Sequence, residues 1–493
     1  MRSNLWRKAA NLAVPGLTGL VTLAATVLVA SPPASASLPA LAGPVPAAPR
    51  YVYVSGVVSG TVAALTITPD GSLRPVPGSP VASGLGTLSI VVAPDGRRAY
   101  AANVVSRNVS GWIVGADGAL TPLPGSPYDT QMAPANLAFS PDGRQVYVTT
   151  GAAGGSVLGF DLTADGALHA QSGGAVPIGG TGGTAFVAVS PDGRHLFATS
   201  YLGGTVSTLD RAPDGSLSPG PVTRVTAGTL PIYLQVSPDG RFVFVANESS
   251  NNLSGYRVGP DGALQEVPNS PFPAGGQPHG AIISSDSRTL YVPLSSTNAT
   301  AAFTIGSDGQ LTAVTGSPFT TGASGDMTGS AAVSPDGRRL YVVEIGGLVA
   351  PSTVRTFAIG ARGGLTALPG DPASTGVTFS DGQSLMTTPD QGPTAAFSAT
   401  TAPGSRRVLL DATASSAPDG EPLSRYTWSF GDGTTLTTTR AQVRHTYRSS
   451  GARTATLRVT DAENCSLAVV FHGQSASCNH DPRAQAGLRF SVG

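Results

Sequence analysis

From Tyr51 to Thr388 the chain alternates short apolar runs with tight turns, and the alternation recurs. The clearest copy joins Leu137-Ala138-Phe139 to Gln145-Val146-Tyr147-Val148-Thr149-Thr150 through Ser140-Pro141-Asp142-Gly143-Arg144. Each residue of that pentad has a turn role: Ser caps, Pro presets φ, Asp bonds back to the backbone and Gly takes the φ > 0 position. Apolar runs of this length on either side predict a β-hairpin. Further copies stand at residues 93–97, 190–194, 237–241 and 334–338, with a degraded one at 284–288 and a shorter one at Ser380-Asp381-Gly382. Their aspartates fall at 95, 142, 192, 239, 286, 336 and 381, so the period is 45 to 50 residues. That length suits four short strands with their turns.

A second motif, Asp-Gly-x-Leu, runs out of phase with the first, beginning at Asp70, Asp117, Asp165, Asp214, Asp261 and Asp308; Gly363-Gly364-Leu365 is its seventh, degraded copy. Seven copies of a four-stranded unit predict an all-β, seven-bladed propeller over residues 50–388. In one blade the strands are expected at 137–139, 145–149, 156–162 and 167–170. Inner strands such as Phe186-Val187-Ala188-Val189 are apolar throughout, as burial on both faces requires. Outer strands carry Pro, as in Leu120-Thr121-Pro122-Leu123, which an edge tolerates. Residues 51–56 read as a second strand with no inner strand before it. Gly376-Val377-Thr378-Phe379 can supply that partner and remove the open edges; Ser384-Leu385-Met386-Thr387 competes for the place of residues 51–56.

Beyond a linker at 389–392 the period stops, and residues 393–493 read as a second β module. Trp428 and Phe430 share a side of one strand and supply bulk for a small sandwich, and Gly431-Asp432-Gly433 turns the chain sharply after them. Tyr447, ahead of Gly451, reads as a corner tying a strand end to the backbone. Residues 484–492 are expected to pair as a last strand.

Composition adjusts this picture at the N-terminus. Arg2, Arg7 and Lys8 precede an apolar stretch from Leu12 to Ala30 and then Ala34-Ser35-Ala36, so residues 1–36 read as an export signal and 37–49 as an extended leader. Cleavage leaves 26 basic residues against 29 acidic and no lysine, which argues against nucleic acid as a partner and leaves no membrane span. In an exported chain, Cys465 and Cys478 are expected to form a disulfide closing a hairpin around Gly473.

The Tyr-Val-Thr-Thr ending at Thr150, with Phe-Val-Ala-Asn at 244–247 and Tyr-Val-Val-Glu at 341–344, resembles the YVTN β-propeller repeat. Together with Asp-Gly-x-Leu and the Gly-Ser-Pro triplets at 78–80, 125–127 and 316–318, it is similar to the lactonase-type seven-bladed family that includes 6-phosphogluconolactonase and carboxymuconate cyclase. The stretch Tyr426 to Gly433, with His445-Thr446-Tyr447, Gly451 and Thr454 to Asp461, resembles a PKD domain, an immunoglobulin-like sandwich. That resemblance implies surface presentation and no catalysis.

Lactone chemistry needs a proton-transfer group and positive charge for the developing oxyanion. In the lactonase-type family those groups are His, Arg and Glu at inner-strand entries, at the channel end opposite the pentad turns. Counting eight residues back from each pentad Asp gives the pairs beginning at Thr87, Pro134, Thr184, Pro231, Pro278 and Thr328. Their second members are Leu88, Ala135, Ala185, Ile232, His279 and Gly329, so His279 alone matches in kind. Glu248, ending a strand of the preceding blade, is placed to meet it, and a His beside a carboxylate can act as a general base. Loops on the same face offer Arg107, Tyr201 and Asn251 as ligand-binding candidates. No zinc spacing, phosphate loop or nucleophile elbow is found, and neither a cofactor nor a metal is implied. The leading expectation is therefore a secreted or surface-attached, monomeric binding or adhesion module for a protein or glycan surface. The alternative is a lactonase-type hydrolase using His279 and Glu248.

Overall fold

Each pentad hairpin forms the first two strands of a blade. In the blade of residues 134–177, Pro134–Phe139 pairs antiparallel with Gln145–Thr150, which pairs with Ser156–Leu162, which pairs with Leu168–Pro177. The pentad turn is held as its residue types require: Asp142 accepts from the Arg144 amide, the Gln145 amide donates to Ser140 Oγ, and Gly143 sits at φ 67. This computed structural model describes residues 50–493 except 69, 152–153, 179–181, 221–224, 227, 323–326, 370–371, 418–421, 463 and 480. The export signal and leader expected over 1–49 lie outside the described residues.

Seven such sheets make the propeller, and most depart from four strands in one respect. The outermost strand is broken in two, so that Leu120–Pro122 and Tyr128–Asp129 pair with successive halves of Asn108–Val114. Gly-Ser-Pro occupies the break, where Ser126 Oγ accepts the Gly111 amide at 2.9 Å; Ser79, Ser270 and Ser317 do the same for Ala64, Gly255 and Ala302. A side-chain oxygen thus satisfies the amide that the interrupted ladder leaves over.

Neighbouring blades are stitched by the second motif. The Tyr100 hydroxyl donates to the Gly166 carbonyl at 2.7 Å, and Tyr53 and Tyr147 donate likewise to Gly118 and Gly215, the glycines of Asp-Gly-x-Leu turns one blade on. These tyrosines are buried. Removing one hydroxyl strands a buried carbonyl, so Tyr100→Phe is expected to lower the unfolding free energy by about 1 kcal/mol, read from the urea midpoint.

Ring closure corrects the sequence reading. Leu385–Thr387, rather than residues 376–379, is the inner strand of the closing blade, pairing with Tyr51–Gly56, which pairs with Thr61–Ile67. Ala373–Thr378 belongs to the preceding blade, as an outer strand beside Pro351–Ile359. Thr388-Pro389-Asp390 accordingly takes the place of the pentad's first three residues, Thr388 exchanging bonds with Tyr51 as Ser140 does with Gln145, and Ser380-Asp381-Gly382 is no pentad copy. Around the ring four pentad glycines lie against the proline of the blade before them: Gly143 against Pro94, Gly193 against Pro141, Gly240 against Pro191, and Gly96 against Pro389, while Gly337 meets Ser285 of the degraded copy. The closing step from Asp336 to Asp390 is thus 54 residues, long enough to hide the copy from a count near 48.

The second module is a sandwich of two sheets, ordered Ser398–Thr401, Arg407–Asp411, Gln442–Thr446 in one and Thr435–Thr438, Leu423–Ser429, Gly451–Asp461, Gln485–Val492 in the other. Trp428 and Phe430 are buried between them with Val408, Leu410 and Leu457. The expected tyrosine corner is present: the Tyr447 hydroxyl donates to the Phe430 carbonyl at 2.8 Å. Between the last two strands of the larger sheet, residues 464–479 leave the sandwich as a hairpin, Val470–Phe471 with Ala476–Cys478, closed by the Cys465–Cys478 disulfide.

Candidate functional site

The inner strands begin where the eight-residue count places them, at Thr87, Pro134, Thr184 and Pro231, while Pro278 bridges to Leu294. Their entries form the mouth of the channel. His279 is fixed there by its own amide, which donates to the Pro293 carbonyl at 2.9 Å. Its ring lies between two carboxylates, with Nδ1 3.3 Å from Glu248 Oε1 and Nε2 2.6 Å from Asp381 Oδ1.

Glu248 was anticipated as the partner of His279, and Asp381 was missed. Asp381 precedes the inner strand of the closing blade, one blade removed from that of His279. The entry between them is Gly329, where a Cβ would stand 2.8 Å from Ile345 Cγ1 and 3.3 Å from the Ser380 carbonyl. Without a side chain at Gly329, the imidazole reaches across that blade to Asp381. The signal that could have found it is the same count: eight residues back from Asp390 lies Gly382, immediately after Asp381.

Side-chain exposures of 1% for His279, 4% for Asp381 and 13% for Glu248 leave the glutamate as the cluster's main contact with solvent. Burial alone pushes the imidazole pKa down. The charge and hydrogen bond of Asp381, followed by those of Glu248, outweigh it and raise His279 to about 10. At neutral pH the ring is therefore a cation, with a hydrogen to offer from each nitrogen.

The rest of the mouth is neutral or paired. Glu344, in Tyr-Val-Val-Glu, is buried and accepts from Arg355 Nε at 2.7 Å and Thr353 Oγ1 at 2.6 Å. Asn136 Nδ2 donates to Gln383 Oε1 at 2.6 Å, and Asn136 Oδ1 accepts the Val187 amide at 3.1 Å. Among the described residues the one group of three metal-type side chains is Asp390, Asp461 and Cys465, away from the mouth, and its sulfur is spent in the disulfide.

The three loop candidates sit in three different blades, none of them that of His279. Arg107 and Asn251 occupy the same left-handed turn position in their blades, at φ 55 and 54, each with its carbonyl accepting the amide of Thr130 or Ala274. Gly60, Gly204 and Asn298 take that position elsewhere in the ring. Asn251 is thereby accounted for by the turn, because Asn tolerates this region and Arg does so at greater cost. Tyr201 is half-buried and packs against the adjoining hydrophobic core. What sequence reasoning overlooked on this face is apolar: Val58, Leu85, Val105, Leu202, Leu348 and Val349 are exposed on its loops. They are six of the seven large hydrophobic side chains exposed among the described residues.

Seven blades around a polar channel mouth, followed by an immunoglobulin-like sandwich, define the class of protein. The profile described as "Lactonase, 7-bladed beta-propeller" matches residues 118–378, more than half the chain, and the chain belongs to that family. A PKD domain profile matches residues 390–471. Among solved structures, a candidate 6-phosphogluconolactonase of Bacteroides fragilis is similar at TM-score 0.57 and 21% identity, covering 69% of this chain and 98% of that one. The periplasmic gluconolactonase of Pseudomonas aeruginosa is similar at TM-score 0.53 and 23% identity, covering 69% of this chain and 99% of that one. At these identities the likeness is one of fold. No curated protein matches the chain significantly.

Proposed function

We propose that this chain is an exported, non-catalytic binding module whose channel-mouth face docks a protein surface of low charge. The observation that carries the reading is the rim of exposed aliphatic side chains around the mouth, since apolar side chains grouped on one face mark interaction sites. Glycan sites rely on aromatic stacking, and among the rim candidates Tyr201 is the sole aromatic, half-buried, so a protein surface fits better. Export is supported by the N-terminal signal pattern, by the disulfide, and by the PKD domain, a module that often mediates extracellular interactions. Arg107 supports a surface role too: it keeps a costly left-handed conformation where other blades use Gly or Asn.

Lactone hydrolysis is the second reading, favoured by membership of the lactonase family. The mouth fits it poorly. A general base needs an unprotonated nitrogen facing the substrate, whereas His279 is buried, protonated and occupied on both nitrogens.

The purified chain should hydrolyse glucono-δ-lactone and its 6-phosphate no faster than buffer, while an array of extracellular proteins captures it and Val105→Asp with Leu202→Asp abolishes capture. Turnover above background that vanishes in His279→Ala, with the circular dichroism unchanged, would establish the hydrolase instead. Arg107→Gly should weaken capture yet raise the unfolding free energy by about 0.5 to 1 kcal/mol, because relief of left-handed strain exceeds the added chain entropy.

A further inference from the structure

The hairpin at 464–479 ends inside the propeller. Its tip, His472-Gly473-Gln474-Ser475, enters the channel from the pentad end, opposite the mouth. The Val189 amide donates to the Gly473 carbonyl at 2.8 Å, Gln474 Nε2 donates to the Val187 carbonyl at 2.8 Å, and Gln235 Nε2 donates to Gln474 Oε1 at 3.0 Å. These bonds tie the tip to the inner strands of two adjacent blades, Thr184–Val189 and Pro231–Val236. Gly473 has φ 88, and a Cβ there would stand 3.0 Å from Ala188 Cβ. Between tip and channel wall remains a cavity of about 30 Å³ lined by Tyr233, Gln235, Gln383 and Met386 among others, room for a water or two. The tip thus occupies the channel at this end.

His472 is buried in that closure, and its Nδ1 has no hydrogen-bond partner. The residues around the cavity include no carboxylate and no cation besides His472 itself; the titratable group facing it is the Tyr233 phenol, held neutral because burial raises its pKa. At the hairpin's base stand Asp390, whose backbone pairs with Ser477 and Asn479, Asp461, which accepts the Cys465 amide, and Asp481, which pairs with Arg483. All three are tied to the base of the insert rather than to its tip. A proton on His472 would place a cation among neutral side chains largely out of solvent, a state disfavoured against the same cation in water.

We propose that residues 465–478 form a proton-gated stopper of the propeller channel, seated while His472 is neutral and withdrawn when it is protonated. The disulfide, buried at both sulfurs, holds the hairpin together in either position. Withdrawal opens the pentad end and removes the support behind Gln235 and Gln383. Burial lowers His472 from 6.5 to about 4, so the seated form is favoured above pH 6.5 and loses its advantage as pH falls toward 4. Across that interval the equilibrium moves about 300-fold toward withdrawal.

Hydrogen–deuterium exchange of the full chain at pH 7.5 and pH 4.0, corrected for intrinsic rates, tests this. At pH 4.0 the Val189 amide and residues 470–478 should exchange at least tenfold faster than at pH 7.5, while residues 242–247 stay protected. His472→Gln should keep the hairpin protected at both pH values. Unchanged protection of the wild type at pH 4.0, or an equal loss in His472→Gln, would overturn the proposal. Should that variant fail to seat its hairpin at pH 7.5, the wild-type His472 ring signal decides by nuclear magnetic resonance. A protonation midpoint below 5 that coincides with hairpin exposure supports the stopper, and a midpoint near 6.5 overturns it.

Discussion

Asp381→Ala is expected to lower the unfolding free energy by about 3 to 5 kcal/mol, the usual cost of stranding one partner of a buried ion pair. The residue lies 2.6 Å from His279 Nε2, and both side chains are almost wholly out of solvent. Without it the imidazolium loses its shortest charged contact and keeps Glu248 at 3.3 Å, which favours loss of the ring proton or entry of water. The pH dependence gives an independent check. His279 is raised from 6.5 to about 10 in the folded chain, so its contribution is complete below pH 6.5 and disappears as pH rises through 10. Urea titrations of the wild type should show stability falling between pH 6.5 and 10, and the slope should flatten in the variant. If Asp381→Ala costs under 1 kcal/mol with the slope unchanged, the cluster is not ionised as described.

Replacing Cys465 and Cys478 together by Ser is expected to cost roughly 3 kcal/mol through the entropy of a loop of this length. The sequence separation is 13, and both residues are buried. The loss should be concentrated in the hairpin and the sandwich strands that flank it, Gly451–Asp461 and Gln485–Val492. Thermal unfolding followed at Trp428 in the sandwich should shift down by several degrees. Hydrogen exchange should show the hairpin's bonds to Val187 and Val189 loosened while the tyrosine stitches between blades persist. Equal loosening of all seven blades would mean that the hairpin holds the ring itself together.

Much of the fold was legible because the turns are chemically explicit. Ser-Pro-Asp-Gly and Asp-Gly-x-Leu specify local geometry, and counting them gives seven blades and the entries to the inner strands. Ring closure was not legible, for a physical reason. Ser380-Asp381-Gly382 carries the residues of a turn without being one, whereas Thr388-Pro389-Asp390 had slipped out of register by the length of an added loop. That misplacement concealed Asp381, and with it the nature of the site: the sequence pairs His279 with one acid, the folded chain with two. At a mouth whose other entries hold Leu88, Ala135, Ala185, Ile232 and Gly329, these three side chains form one buried cluster. The rim was hidden for a different reason. Val58, Leu85, Val105, Leu202 and the pair Leu348-Val349 fall in five loops separated by tens of residues, and only the ring sets them on one face. The descent of the hairpin into the channel leaves no periodic trace, since Gln474 meets Gln235 across 239 residues of chain.

Family and site thus point in different directions. The lactonase propeller supplies a mouth that can hold acid–base groups, and this chain has filled it with a saturated one. The protonation of His279 decides between these, and it can be read directly from ¹⁵N spectra of histidine-labelled protein between pH 6 and 9. If the imidazole is locked between Glu248 and Asp381, both ring nitrogens remain protonated and its signals stay unchanged up to at least pH 8. A neutral ring at pH 7.5, with one bare nitrogen and a midpoint near 6.5, would contradict that and restore His279 as a base.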